Sequence, residues 1–463
     1  MPDRTAAPAP HPFIEARGPR LTGRRGVYYL LFAGNAIAII AMWWATTGST
    51  PHRTVADPLN AIGRVTALLG TYLVLWQLVI MSRLPGLQDA FGMERLAVVH
   101  RWNGYLAIGL LLAHAVFQTL AYQLAAHTDA LSQMVAFVQT YEGMLSAIVA
   151  LALLGLIAGI SVVIVRRRLA YQTWYFVHLY TYIAIALAFS HELALGADFI
   201  GSRALLIYWY VLYIVVGAVL VGYRVLLPLA RFRRHRFRVQ RVAREAPNVV
   251  SIYVTGKDLA SFPVMGGQFL LWRFMDRRRW WEAHPFSISR PPDGRTLRLT
   301  ARSSGDFTAR LAGVRRGTPV LIEGPFGAFT SASCRHTGAL LVAGGIGITA
   351  VRALAEDLCA MGVDVVILHR CRSDRDAVFS SELKEQAAAT GMRVQHLTNR
   401  QAPGGMGRNW FRPEVLGRLV PDVRNREVYI CGSRGMTVDV IGALGRLAVP
   451  RAQVHTEAFG LLP

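Results

Sequence analysis

The sequence predicts an α-helical bundle of six transmembrane helices, followed by a small antiparallel β-barrel and an α/β Rossmann-like domain. Three observations carry this prediction. The first half holds six apolar runs, each long enough to cross a bilayer. From about residue 237, short alternating segments are separated by Gly and Pro. From about residue 337, apolar strands alternate with helical stretches.

The apolar runs cover 27–48, 59–82, 96–124, 140–166, 171–193 and 202–229. The polar, Arg-rich stretch 1–26 carries no cleavage site after a short apolar run, so a cytosolic segment is expected rather than a signal peptide. A formal charge of +22 over 463 residues would suit a nucleic-acid binder, but its distribution argues against that class. Arg17, Arg20, Arg24 and Arg25 precede the first run, and Arg83 and Arg95 separate the second from the third. Arg166, Arg167 and Arg168 separate the fourth from the fifth, and Arg231, Arg233, Arg234 and Arg236 follow the sixth. The alternate loops carry little beyond Arg53 and Arg203. This positive-inside pattern predicts a bacterial-type plasma-membrane protein whose N-terminus and second half are cytoplasmic. The expected partner is the lipid bilayer, with some arginines at anionic headgroups, and not nucleic acid. Cys334, Cys359, Cys371 and Cys431 all fall in the second half without a CxxC pair, which suits a reducing compartment.

Alternating segments at 237–242, 248–255, 267–274, 296–302 and 318–322 predict the barrel. Strands at 339–343, 363–369 and 427–431, with helices at 348–360 and 379–390, predict the nucleotide-binding unit. The expected divisions are 1–26, 27–230, 231–335 and 336–463, with 1–20 and 398–410 loosely ordered.

Four histidines lie inside apolar runs, where an ionisable side chain is functional by default. His100 and His114 share the third run, and His178 and His191 the fifth. The separations of 14 and 13 residues place one histidine towards each leaflet on each helix, roughly 20 Å apart. The topology pairs His100 with His178 on the inner side and His114 with His191 on the outer side. Neutral imidazoles are good axial ligands of haem iron, so the arrangement suits two stacked haems b. Interhelical hydrogen bonding and proton or ion relay are the alternatives. On an ideal helix a spacing of 13 turns the two side chains about 140° apart, so the fifth helix needs a distortion or the haems an offset. Arg64 and Arg101 are candidate partners for haem propionates, Arg64 at the outer end of its helix.

The stretch HPFSIS, with His284, Pro285, Phe286 and Ser287, offers an aromatic for a flavin ring, a hydroxyl for a ring nitrogen and a donor for pyrophosphate. GDFT places Gly305 and Thr308 at a helix start, where backbone N–H groups favour phosphate. LLVAGGIGITAVRAL runs from a strand through Gly344, Gly345 and Gly347 into a helix, which lets a pyrophosphate approach the backbone. The next strand ends in HRCRS, where Arg370 and Arg372 replace the acidic residue that binds the ribose of NAD. They favour a 2′-phosphate and so NADPH, with NADH the alternative.

Taken together, six helices with two spaced histidine pairs, a flavin barrel and a nucleotide domain resemble the NADPH oxidase and ferric reductase superfamily over nearly the whole chain from about residue 27. The resemblance implies that Ser287 sits near the flavin N5, that His284, Pro285 and Phe286 line the flavin, and that Gly305 and Thr308 hold the FAD pyrophosphate. It implies that Gly324, Pro325 and Gly327 close the barrel and that Gly344, Gly345, Gly347 and Thr349 form the dinucleotide loop. It places Cys431 and Gly432 beside the nicotinamide, Phe459 over the flavin, and Arg64 in the outer pocket. Departures from the family pattern are Ala350 and Ser433, where prolines are usual, and Gln118, where animal oxidases carry a further histidine.

The implied activity is electron transfer from cytosolic NAD(P)H through FAD and two haems to an external acceptor. That acceptor is dioxygen, giving superoxide, or a ferric complex. A separate partner protein remains open. The rival from another class is a histidine-dependent transporter or sensor with a nucleotide-binding module.

Overall fold

The computed structural model describes residues 21–51, 53–162, 171–195, 202–398 and 410–458. Two compact units emerge, one from Leu21 to Val225 and the other from Leu226 onward.

The first unit is helical. Its elements are α1 (Leu21–Trp43), α2 (Ala56–Ile80), α3 (Pro85–Phe91), α4 (Met93–Ala126), α5 (Ala130–Thr140), α6 (Met144–Ser161), α7 (Tyr171–Leu179), α8 (Thr181–Leu195) and α9 (Arg203–Val221). Six stretches are long and apolar enough to cross a membrane: Arg25–Gly48, Ala56–Ile80, Arg95–Ala126, Met144–Ser161, Gln172–Glu192 and Arg203–His235. Their outer faces expose large apolar side chains such as Leu30, Ile37, Ile207 and Ile214. A water-soluble surface would not leave so contiguous an apolar girdle uncovered.

The closest helix pair is α2 against α4. A Cβ on Gly63 would lie 2.6 Å from the Gln118 amide, and one on Gly70 would lie 2.9 Å from Leu111. Small residues seven apart on α2 therefore let the two backbones approach, as is common between membrane helices. The fifth apolar run is not one helix. It breaks at Tyr180, whose N–H bonds the Val177 carbonyl at 3.1 Å, while Thr181 Oγ1 donates to the His178 carbonyl at 2.6 Å. The break falls between His178 and His191. The predicted loop after the third run contains α5, whose N-terminus is capped by Asp129 accepting from Leu131 and Ser132 N–H, both at 3.0 Å.

The second unit opens with α10 (Leu227–His235) and the barrel strands β1 (Arg238–Ala246), β2 (Val249–Thr255), β3 (Phe269–Phe274), β4 (His284–Arg290), β5 (Thr296–Arg302) and β6 (Val320–Phe326), with α11 (Asp306–Ala309) before β6. The antiparallel order is β1-β2-β5-β4-β3-β6, and a bridge between Arg238 and Pro319 closes it. Trp272, Phe237, Phe262 and Phe274 fill the interior.

The α/β half follows. It comprises β7 (Gly338–Gly344), α12 (Ile348–Ala360), β8 (Asp364–Cys371), α13 (Ser380–Thr390), β9 (Arg393–Thr398), α14 (Pro413–Leu419), β10 (Arg426–Gly432), α15 (Arg434–Arg446) and β11 (Val454–Ala458). The parallel order is β11-β10-β7-β8-β9. Central strands buried on both faces read as continuous apolar runs, as in Leu340–Leu341–Val342–Ala343 of β7.

Candidate functional site

The four intramembrane histidines come together in two pairs. The His100 and His178 ring centroids lie 6.0 Å apart. Two imidazoles bonded to one metal at about 2 Å each would have centroids at about this separation. Trp174 stacks on His178 at 5.1 Å and donates from Nε1 to Ser161 Oγ at 3.2 Å. His114 and His191 lie close enough to interact electrostatically. His114 Nδ1 donates to the Gly63 carbonyl at 2.8 Å, so its Nε2 keeps the lone pair. His100 Nδ1 and His191 Nδ1 are buried and lack hydrogen-bond partners among the described residues. This donor set fits two haems, each held between a histidine of α4 and one of the fifth span.

Arg64 follows Gly63 and is held by Thr47, whose hydroxyl accepts from its guanidinium at 2.8 Å. Thr47 is buried in a π-helical turn, Trp44–Gly48, that ends the first span. Gln118 donates to the Asn60 carbonyl at 3.1 Å and so ties α4 to α2.

Sequence reasoning missed Glu192, beside His191. Its carboxylate accepts from Thr71 Oγ1 at 3.0 Å, Trp209 Nε1 at 3.0 Å and Tyr213 OH at 2.9 Å. A carboxylate within an apolar run was the available signal.

In the barrel the two flavin motifs meet. The His284 ring stacks on Phe307 of GDFT at a centroid distance of 3.7 Å. His284 Nε2 lies 3.2 Å from buried Glu282, which also binds Arg310 at 3.0 Å. Burial holds the His284 imidazole below its ordinary pKa despite that carboxylate. Pro285 and Phe286 stand half-buried on the same strand, and Ser287 Oγ is buried without a partner. A shielded, unsatisfied hydroxyl beside an aromatic fits a ligand with ring nitrogens. Gly305 and Thr308 stand at a helix start, Gly305 as N-cap and Thr308 in the first turn. The Thr308 hydroxyl accepts from Ser304 and Gly305 N–H at 2.9 and 3.0 Å and donates to the Gly305 carbonyl at 2.9 Å, so it shapes the turn. Gly324 and Gly327 both have positive φ where β6 ends.

In the α/β half, Gly345 has φ +54° and Gly347 sits against Cys431, whose carbonyl a Cβ would meet at 2.2 Å. The glycine-rich turn and the Cys431–Gly432 turn therefore touch, and Gly344 packs on Gly432 and Met436. Thr349 is buried and donates to the Ile346 carbonyl at 3.0 Å, holding the turn rather than facing out. The Cys431 side chain lies wholly in the core, and burial pushes its thiol well above its ordinary pKa. What Cys431 offers the site is its backbone. Ala350 is buried in the same core, and Ser433 caps α15 by accepting from Met436 N–H at 3.4 Å, a role proline cannot fill. Arg370 stands in register with Gly344, and Arg372 is exposed just beyond it. Phe459 lies outside the described residues.

A partly buried ionic knot joins the two halves of this unit. Arg298 of β5 grips Glu382 of α13 through two hydrogen bonds of 2.7 and 3.0 Å, and Arg352 of α12 adds an ion-pair contact at 2.9 Å. Arg352 also donates to the Ser289 carbonyl of β4 at 3.0 Å. The flavin strand and the dinucleotide helix are thereby locked together.

Three family models match successive parts of the chain. They are a ferric reductase like transmembrane component at residues 66–189, an FAD-binding domain at 234–330 and an oxidoreductase NAD-binding domain at 341–441. The chain belongs, by domain architecture, to the NADPH oxidase and ferric reductase superfamily. Beyond its apolar helices it carries a flavin domain and an oxidoreductase nicotinamide domain. Individual relatives match part of the chain. The glycine betaine monooxygenase reductase subunit of Pseudomonas aeruginosa strain UCBPP-PA14 is 28% identical over 159 residues, 32% of this chain and 43% of that protein. The chain thus spans less than half of that relative's length. The probable dihydroorotate dehydrogenase B (NAD(+)), electron transfer subunit, of Methanothermobacter thermautotrophicus is 30% identical over 198 residues, 42% of this chain and 68% of that protein. Among solved structures, the flavohem-like FAD/NAD-binding domain of nitric oxide dioxygenase from Vibrio cholerae O1 biovar El Tor covers 49% of this chain and 98% of its own, at 21% identity and TM-score 0.41.

Proposed function

We propose that the protein moves electrons from cytoplasmic NAD(P)H through FAD and two b-type haems to an acceptor across the membrane. The observation that carries this reading is the His100–His178 pair, 6.0 Å between ring centroids, with His114 and His191 as a second pair further along the same two spans. When bound, FAD takes a hydride and releases electrons singly, and the haems relay them. His100 and His178 would hold one iron, and His114 and His191 the other. Ser287 would offer its buried hydroxyl to the reactive ring nitrogen, and His284 and Phe286 would frame the flavin. Gly344, Gly345 and Gly347 let the nucleotide pyrophosphate reach the backbone, and Cys431 and Gly432 form the floor beside the nicotinamide. Arg370 and Arg372 favour NADPH through its 2′-phosphate.

The arginine distribution supports an N-terminus and second unit on the cytoplasmic side. The favoured acceptor is dioxygen, reduced to superoxide beside the His114–His191 pair, with Arg64 stabilising the anion. A ferric complex is the second reading, favoured by the description of the matching transmembrane family. The test is an anaerobic visible spectrum of the detergent-purified, FAD-supplemented protein before and after NADPH. Reduced b-haem bands from about two haems per chain are expected. Oxygen is then admitted and superoxide trapped, with a ferric chelate offered in parallel. Absence of haem would reopen the transporter reading. Bound haem that neither NADPH nor NADH reduces would overturn the proposed path.

A further inference from the structure

We propose that the nucleotide-binding domain holds a site for one zinc-class cation, built from His369, Cys371 and His396, separate from the membrane histidines and from the flavin strand. His369 and Cys371 alternate on β8 and so face one side of the sheet, and His396 is the register partner of His369 on β9. The three potential ligand atoms lie within 4.8 Å of one another. A tetrahedral ion with bonds of about 2.0 Å to nitrogen and 2.3 Å to sulfur needs them roughly 1 Å closer, within reach of side-chain rotation.

The hydrogen bonding prepares both imidazoles. His369 Nε2 lies 3.0 Å from the Gly345 carbonyl, which can only accept. Nε2 therefore carries the proton and Nδ1 the lone pair. His369 Nδ1 is buried and has no hydrogen-bond partner, and the same is true of His396 Nδ1. His396 Nε2 reaches Ser380 Oγ at 3.4 Å. Each ring is thus held at Nε2 while its Nδ1 has no hydrogen-bond partner among the described residues, the usual support for metal-binding histidines. The charged neighbours of Cys371 are Asp374, Asp376, Arg302 and Arg370, two of each sign. Two imidazoles and a thiolate select zinc or copper(I) over magnesium or calcium. On binding, the Cys371 thiol releases its proton to solvent as the sulfur–metal bond forms, with no change of oxidation state. Three protein ligands leave a fourth position for water. Because His369 also holds Gly345, the ion would brace the glycine-rich turn against β9.

The test uses the full-length, haem- and FAD-loaded protein in detergent. It is incubated with zinc chloride, dialysed, and assayed for zinc by mass spectrometry and by zinc-edge X-ray absorption, which iron does not obscure. The expected result is one zinc per chain with one sulfur and nitrogen ligands. Affinity should fall at least tenfold in Cys371→Ser and in His396→Gln, and stay unchanged in Cys334→Ser. Retained FAD shows that each variant is folded, and the absorption edge of the unaltered protein decides the matter if one is not. Zinc well below one per chain, a ligand shell without sulfur, or equal binding by Cys371→Ser would overturn the site.

Discussion

His114 donates its Nδ1 proton to the carbonyl of Gly63 at 2.8 Å, across the α2–α4 contact where a Cβ on Gly63 would meet the Gln118 side chain. The bond fixes the imidazole tautomer and ring orientation, so Nε2 is the nitrogen that would ligate iron. His114→Ala should therefore lower the haem content from about two to about one per chain, read as the pyridine haemochrome. The remaining haem should still be reduced by NADPH under anaerobic conditions, while superoxide formation is lost. Two haems per chain in the variant would remove His114 from the ligand set.

Ser287 gives a sharper test of the flavin strand. Its hydroxyl is buried and unpaired within the protein, so the fold gains little from it. Ser287→Ala should leave thermal stability and FAD content unchanged while slowing flavin reduction by NADPH roughly tenfold, the value of one lost hydrogen bond. Stopped-flow flavin bleaching measures this. An unchanged rate would place the reactive nitrogen elsewhere.

The nucleotide preference rests on Arg370 and Arg372. Arg372 is exposed beyond β8, where its removal costs no packing. Arg372→Ala should raise KM for NADPH about tenfold, leaving kcat and the KM for NADH nearly unchanged. Equal losses with both nucleotides would mean that the guanidinium does not read the 2′-phosphate.

The ionic knot predicts a pH dependence. Burial would raise the Glu382 carboxyl, but the Arg298 hydrogen bonds and the Arg352 and Arg298 charges outweigh it and hold the pKa below its ordinary 4.5. The ionised form is thus favoured in the folded state. Its stabilisation is complete above the ordinary value and disappears as the pH falls through the lowered one. Glu382→Gln should cost about 2 kcal/mol at neutral pH, discounted from a fully buried pair because Glu382 is partly exposed. The gap between the two proteins in thermal unfolding should close on acidification below the carboxylate range. A gap that persists there would show that packing, not charge, holds the joint.

How much of this was legible before folding varied by kind of interaction. Spans and central strands such as Leu340–Ala343 announce themselves because burial on all sides demands unbroken apolar runs. The outer strands β9 and β11 escaped because RVQHLT and VHTEA mix polar side chains into half-covered edges. Helix α5 escaped because its 11 residues fall between two stronger apolar runs, although Asp129 was a readable cap. The histidine pairs could be proposed from spacing, yet the break at Tyr180 is a local hydrogen-bond choice without a composition signature. Arg298 and Glu382 are 84 residues apart, so only the tertiary fold makes them partners.

Glu192 offers the last test, and the chemistry of its donors decides which substitution is harmless. Trp209 Nε1 can only donate, and it shares Oε2 with Tyr213 OH, whereas Thr71, on Oε1, has a hydroxyl that can also accept. Glutamine can keep its carbonyl oxygen towards Trp209 and Tyr213 and turn its amide towards Thr71. Glu192→Gln should therefore cost no more than about 1 kcal/mol, whereas Glu192→Leu strands three donors and should cost several kcal/mol. Thermal unfolding in detergent, followed by tryptophan fluorescence, separates the two. If glutamine proves as damaging as leucine, the negative charge itself is required beside His191. The haem reduction potential of Glu192→Gln would then be the quantity to measure.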